Sequence, residues 1–275
     1  MKASVKPFFV VAALLWAIAC SHGAKPPAAI VPERAAPRAA AATLSPESAQ
    51  IARWAAEVAP SKRVYVARIF SNGQAHRLGF RTLELSDATY DGANAWLLME
   101  SRTIGTIVLA ESLYVAKSTG MPLYRVAHTP DSQIDTRYTP DSVVTTFSGD
   151  SGGARVALPD EAGLVGNIYW LEPVLATLPL APGWKGSATT LFVGPHDHAR
   201  VVMQMEVMGQ DSVEVPDGTY DCWAMNLQVG ETQEHLWVRK SDRVLIKQDT
   251  PVAGIAGAKV QLLLAAGQTK PAEGK

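Results

Sequence analysis

From Arg63 onward the chain alternates apolar and polar positions with a period of two, and that spacing predicts strands rather than helices. Val64, Val66 and Arg68 share one face of the first run, and Tyr65, Ala67 and Ile69 share the other. Asn72-Gly73 follows, a dipeptide that favours a two-residue hairpin turn. Asp91-Gly92 precedes Trp96-Leu97-Leu98-Met99, and Gly120-Met121-Pro122 separates two further strand-like runs. Val201, Met203, Met205 and Val207 line one face of a later run, while Arg200, Gln204 and Glu206 share the other with Val202. Pro216-Asp217-Gly218 then turns the chain into the run Thr219 to Leu227, and Lys240-Ser241-Asp242 joins His235–Val238 to Val244–Gln248.

Helical spacing shows in two places. Ser45-Pro46-Glu47 combines a capping hydroxyl, a proline suited to the first helical position and an acid in the first turn. Ile51, Trp54, Ala55 and Val58 follow at the matching period, and Pro60 ends the segment. A second short helix is expected over Trp170–Leu178, where Pro173 should confine it to one turn or break it. Roughly ten or more short-looped strands with no helix after each one predict a mainly β fold. The expected architecture is a strongly curved antiparallel sheet, a half-barrel or open barrel, with one N-terminal helix.

The ends of the chain change the picture from a bare β domain to an exported one. Lys2 and Lys6 precede the apolar run Pro7–Ala19, which stops at Ala17-Ile18-Ala19-Cys20. That layout resembles a bacterial lipoprotein signal, and the run is shorter than the roughly 20 residues a spanning helix needs. Residues 1–19 are therefore expected to be removed and Cys20 to carry lipid. A plainly cleaved signal and a retained anchor are the alternatives. Residues 20–43 are rich in Ala and Pro (Pro26, Pro27, Pro32, Pro37) and predict a semi-rigid tether. Residues 44–266 are then a single antiparallel β domain, and 267–275 a disordered tail. Ser21 lacks the acidic side chain that favours inner-membrane retention in enteric bacteria, so the outer membrane is the preferred address.

Composition excludes more than it selects. The chain of 275 residues has a net charge of −1, and without Lys2 and Lys6 it holds 23 basic against 26 acidic residues. That balance provides no basic face for nucleic acid. Of the two cysteines, lipidation of Cys20 would leave Cys222 alone, which rules out an intrachain disulfide. Cys222 alternates with Trp223 and is expected as a core thiol.

Three groups of residues invite a chemical reading. Gly149-Asp150-Ser151-Gly152-Gly153, with Gly163-Leu164-Val165-Gly166 after it, resembles the nucleophile loop of trypsin-like serine proteases. Such a loop needs a His base and an Asp. His76, with Asp87, Asp91 and Asp141 between it and Ser151, stands too near for an architecture whose two barrels each take roughly 100 residues. The preferred reading is a hairpin tip between Val143-Val144 and Arg155-Val156, which leaves a hydrolase using Ser151 as the lesser alternative. His196-Asp197-His198 could hold a metal with His128 or His235, but after Gly194-Pro195 it reads as a solvated turn, and no metal or other cofactor is expected. Met203 and Met205 read as core, or as the lining of a greasy cavity.

One stretch carries a family resemblance. Val213-Glu214-Val215-Pro216-Asp217-Gly218-Thr219-Tyr220-Asp221-Cys222-Trp223 is similar to the V-x-V-P-x-G-T-F/Y-D-C/A segment of uncharacterised bacterial envelope proteins grouped as a domain of unknown function. Their W-V-x-K-x-x-R-x-V-K hairpin is matched loosely by Leu236–Lys247, and their linker by Leu178-Pro179-Leu180-Ala181-Pro182-Gly183-Trp184. The resemblance covers about Arg63 to Asp249. It implies a curved antiparallel sheet shaped like the half-barrels of lipoprotein carriers and receptors, which shelter acyl chains in the concave face. It brings no catalytic residue.

The expected function is a non-enzymatic cell-envelope lipoprotein, anchored on the periplasmic side, that binds an apolar or amphipathic ligand or an envelope protein on its sheet. The alternative is a structural or assembly component whose concavity is filled by its own side chains, with Trp54 and Trp170 as the plugs.

Overall fold

A computed structural model describes residues 53–139, 142–149, 153–159, 168–195 and 198–265. The signal, the tether, Cys20 and the tail therefore lie outside the described residues.

The expected turns close the expected hairpins. Asn72 and Gly73 both take the left-handed backbone (φ 50° and 75°), and so do Asp91 and Gly92 (48° and 79°). Paired positive φ angles match the twist of antiparallel strands. The first turn joins β1 (Ser61–Ser71) to β2 (Gln74–Tyr90), and the second joins β2 to β3 (Ala93–Ile104). The meander continues through β4 (Ile107–Ala116), β5 (Pro122–Thr129), β6 (Ser132–Tyr138), β7 (Ser142–Gly149) and β8 (Ala154–Pro159). A second meander runs through β9 (Lys185–Val193), β10 (His198–Val215), β11 (Gly218–Val229), β12 (Thr232–Arg239), β13 (Leu245–Pro251) and β14 (Lys259–Leu264).

All fourteen strands form one antiparallel sheet in the order β8-β7-β6-β5-β4-β3-β2-β1-β14-β13-β12-β11-β10-β9. The first and last strands therefore meet in its middle, with Tyr65 opposite Leu264. Its two edges, β8 and β9, curve round to each other. Leu158 of β8, Leu191 of β9 and Val143 of β7 form one apolar cluster with Tyr138, Val156 and Val193. Register shifts at Ala67/Arg68, Tyr114/Val115, Val207/Gly209 and Trp237/Val238 are the bulges that bend and coil a sheet of this width.

The concave side is filled from the chain itself. α1, of which residues 53–57 are described, packs Trp54, Ala55 and Val58 into the main core. It is pinned by the Trp96 indole N–H, which donates to the Ala55 carbonyl at 2.7 Å. α2 (Ile168–Leu175) lies on the connection from β8 to β9 and buries Trp170, Leu171, Val174 and Leu175 in the same core. Pro173 neither confines nor breaks it. The helix starts two residues before Trp170 and runs through the proline, then tightens into i→i+3 bonds, Ala176 N–H to Pro173 and Leu178 N–H to Leu175. A helix this short has few ladder bonds for a proline to remove, and burial of its apolar side chains outweighs the one lost.

The period-two reading of β10 holds: Met203, Met205 and Val207 are buried on the concave face while Val202 and Gln204 are exposed. They face Val229, Leu227 and Met225 across β11, and the thioethers share the main core with Leu236 and Leu264.

Candidate functional site

The concave face carries, besides its apolar core, a band of charge that the sequence reading did not find. Arg63 on β1, Arg81 on β2 and Glu100 on β3 occupy inward positions in phase with Tyr65, with Leu83 and Leu85, and with Leu98. Register places Tyr65 opposite Arg81, Leu83 opposite Glu100 and Arg81 opposite Arg102, so neighbouring strands bring the charged groups together. The signal was available. A charged residue two positions from apolar ones in a strand shares their face, and in a sheet with a buried side it must then find a partner inside.

The partner comes from α2. Glu172 sits among the helix's apolar side chains and accepts from Arg81 Nη1 at 2.6 Å on Oε2 and from Arg63 Nη1 at 3.4 Å on Oε1. The Tyr65 hydroxyl donates to the same Oε1. Arg81 Nε reaches Glu100 Oε1 at 3.1 Å, and Arg102 Nε donates to that oxygen as well. Further along, Arg125 grips Glu111 with two bonds of 2.9 and 3.0 Å. The side chains of Arg63, Arg81, Glu100 and Glu172 are each no more than 10% exposed. Two buried side-chain atoms among the described residues have no hydrogen-bond partner, Glu100 Oε2 and Trp170 Nε1. One sits one guanidinium away from Glu172, and the other is on α2 itself.

Electrostatics in this band favour a charged Arg81, an ionised Glu100 and a neutral Tyr65. Burial pushes the Tyr65 hydroxyl well above its ordinary value, and the Glu172 carboxylate adds to the push. Burial opposes ionisation of Glu100, but Arg102 and Arg81 override it and hold the carboxyl below its usual value. For Glu234, inward on β12 and bonded to Gln248 at 2.7 Å, burial wins and the value rises. The sign for Glu100 sets a pH dependence. A carboxyl with a lowered folded value contributes stability that is present above the ordinary carboxylate range, about pH 4, and lost as pH falls through the folded value. The urea midpoint should therefore drop steeply below about pH 4, and Glu100→Gln should flatten that drop. An unchanged acid slope in the variant would remove Glu100 from the account.

The arrangement can hold an anion or lock a helix. Ser151, Asp150 and Asp141 lie outside the described residues, but β7 and β8 pair on either side of the Gly149–Gly153 loop, with Phe147 opposite Ala154, as a hairpin tip requires. His76 is exposed on β2, where it lies opposite Ile69. Of the metal candidates, His196 and Asp197 lie outside the described residues. His198 starts β10, exposed, and His128 and His235 are exposed on β5 and β12. His235 Nδ1 pairs with Asn226 Oδ1 at 2.8 Å. No group of three metal-ligating side chains occurs among the described residues.

Cys222 is buried, as expected of a core thiol, with its Sγ 3.5 Å from the Tyr220 carbonyl. Burial pushes its value up to about 11. Iodoacetamide at pH 8 should leave Cys222 unmodified in the folded chain and label it in urea, as read by peptide mapping. Labelling at equal rates in both states would contradict the packing.

Comparison with known proteins follows the fold. The model of a family described as "Protein of unknown function (DUF3108)" matches residues 77–261, a span that includes both segments Val213–Trp223 and Leu236–Lys247. Among curated proteins none matches the chain. A β-barrel-like protein of the domain of unknown function DUF1849 from Brucella abortus is similar at 9% identity and a TM-score of 0.48, covering 76% of this chain and 97% of its own. The hypothetical lipoprotein YmcC from Escherichia coli is similar at 12% identity and a TM-score of 0.32, covering 78% and 90%. A DUF1329 family protein from Desulfovibrio piger gives 9% and 0.26, covering 82% and 93%.

Proposed function

The chain belongs to the family described as Protein of unknown function (DUF3108), and from that premise, which brings no chemistry, we propose that it is a non-enzymatic envelope protein whose curved sheet holds an apolar or amphipathic guest. The observation that carries this reading is the content of the concavity. Its apolar wall, with Met203, Met205 and Leu264, encloses a helix that belongs to no ladder of the sheet and hangs on the connection between the sheet's two edges. Such a wall is suited to a hydrocarbon chain, which gains about 0.8 kcal/mol for each buried CH₂. Methionine adds adaptability, since its unbranched thioether repacks around irregular guests. The signal-like prefix with Cys20 supports a lipid-anchored address on the periplasmic side, and the outer membrane remains the preferred one.

A second reading is favoured by Trp170 and Trp54. Both are buried in the core from the two helices, as a self-filled structural or assembly component would have them. Titration with a long-chain fatty acid and with an apolar fluorescent probe separates the two readings. Saturable binding that is lost when Met203 and Met205 are replaced by Gln supports the guest-binding protein. A flat titration in a folded chain leaves the self-filled component.

A further inference from the structure

Glu172 is the one charged side chain of α2, and every group that holds it comes from the sheet: Arg63, Arg81 and Tyr65. Two guanidiniums and a phenol converging on both oxygens of one carboxylate are a receptor for a carboxylate, whatever covalent body that carboxylate is attached to. In α2 the body is a short rod of apolar side chains, Trp170, Leu171, Val174 and Leu175, about 12 Å long. An anionic head and an apolar rod are the two parts of a single-chain amphiphile.

Two further observations bear on whether α2 is the occupant the concavity is built for. Among the described residues, the two buried side-chain polar atoms without partners are the Trp170 indole nitrogen on the helix and Glu100 Oε2 beside Arg81. The topology also gives α2 a way out. The connection that carries it runs from β8 to β9, the two edges of the sheet, which meet through the side-chain cluster of Val143, Leu158 and Leu191. Among the described residues no strand ladder joins β8 to β9 across this seam. Arg63 and Arg81 both bond Glu172, and Arg81 also faces Glu100 and Glu234, so a departing Glu172 takes one carboxylate out of a buried band that holds Arg63 and Arg81. A buried seat that loses its carboxylate in this way favours another anion.

We propose that Arg63, Arg81 and Tyr65 form the head-group site for a single-chain amphiphile with a carboxylate head, that Glu172 is its built-in competitor, and that α2 moves out through the β8/β9 seam as the ligand enters. This rests on the guest-binding reading above and adds to it the chemistry of the guest's head and the part of the chain that yields. The apparent affinity is the intrinsic one reduced by the small fraction of molecules with α2 out, so weakening the competitor tightens binding.

The test uses the purified full chain, with dodecanoate and dodecyltrimethylammonium, which share a tail and differ in the sign of the head. Dodecanoate should bind one to one, and the cation at least tenfold more weakly. Glu172→Gln, which keeps the shape and removes the charge, should raise the affinity for dodecanoate at least fivefold. Arg63→Gln should lower it. Dodecanoate should also speed hydrogen exchange of the α2 amides while those of β1 to β3 stay protected. Equal binding of the two heads, unaffected by either substitution, overturns the head-group site and leaves guest binding standing. No binding of either detergent overturns both. Should Glu172→Gln fail to fold, the head-group preference and the α2 exchange of the unaltered chain still decide.

Discussion

Truncating Glu172 to alanine should lower the unfolding free energy by about 3–5 kcal/mol, the range seen when one partner of a buried ion pair is removed. The cause is what remains. Arg63 and Arg81, both buried, lose the carboxylate between them, and the Tyr65 hydroxyl keeps only its longer bond to the Leu245 carbonyl at 3.3 Å. The side chains of Arg63 and Arg81 are 10% and 6% exposed, so little water is at hand to replace the lost partner. A pair on the outer surface calibrates the claim. Lys62 and Glu84 lie 2.8 Å apart with side chains 58% and 35% exposed, and breaking that pair should cost at most about 1 kcal/mol. Urea unfolding of the two variants beside the parent gives the comparison. If Glu172→Ala costs no more than Lys62→Ala, the charge band does not hold α2.

Trp170→Ala should cost about as much, some 3–5 kcal/mol, through a different physical effect. Trp170 is 1% exposed and among the largest side chains of the core, so truncation leaves a void that α1, the sheet and the rest of α2 would have to close. Its indole N–H has no partner, so Trp170→Phe forfeits volume but no hydrogen bond. That substitution should stay within about 1.5 kcal/mol of the parent. A Phe variant as damaged as the Ala variant would mean that the indole nitrogen is bonded after all. The two predictions probe the same helix by charge and by volume, and thermal melts of all three variants separate them.

What could be read from the sequence follows from how far apart the determining residues stand. Asn72-Gly73, Asp91-Gly92 and Pro216-Asp217-Gly218 specify their turns within two or three residues, so the hairpins and the mainly β class were legible. The Met203–Met205 face was legible for the same reason, since period two is a local property. Pro173 misled because a breaker is judged against an isolated helix, whereas α2 is held by the walls around it. The charge band was hidden differently. Arg63, Arg81, Glu100 and Glu172 each read as an ordinary polar residue of an alternating strand or a short helix, and only register across three strands and a returning helix makes them one site. Nor does any local signal announce that β1 lies against β14.

That last pairing bears on how the chain is made. Every ladder except β1–β14 joins consecutive strands, so each meander can zip up from neighbours as it emerges. β1 is synthesised first among the strands and β14 last, and until β14 arrives one edge of β1 has no partner. An open edge is a template for pairing with the wrong chain. The cost in loop entropy of joining such distant strands grows only slowly with length, so the hazard lies in the waiting time. A chain halted before β14 is left with two separate meanders and an open middle, which makes the last six-residue strand the step that commits the fold.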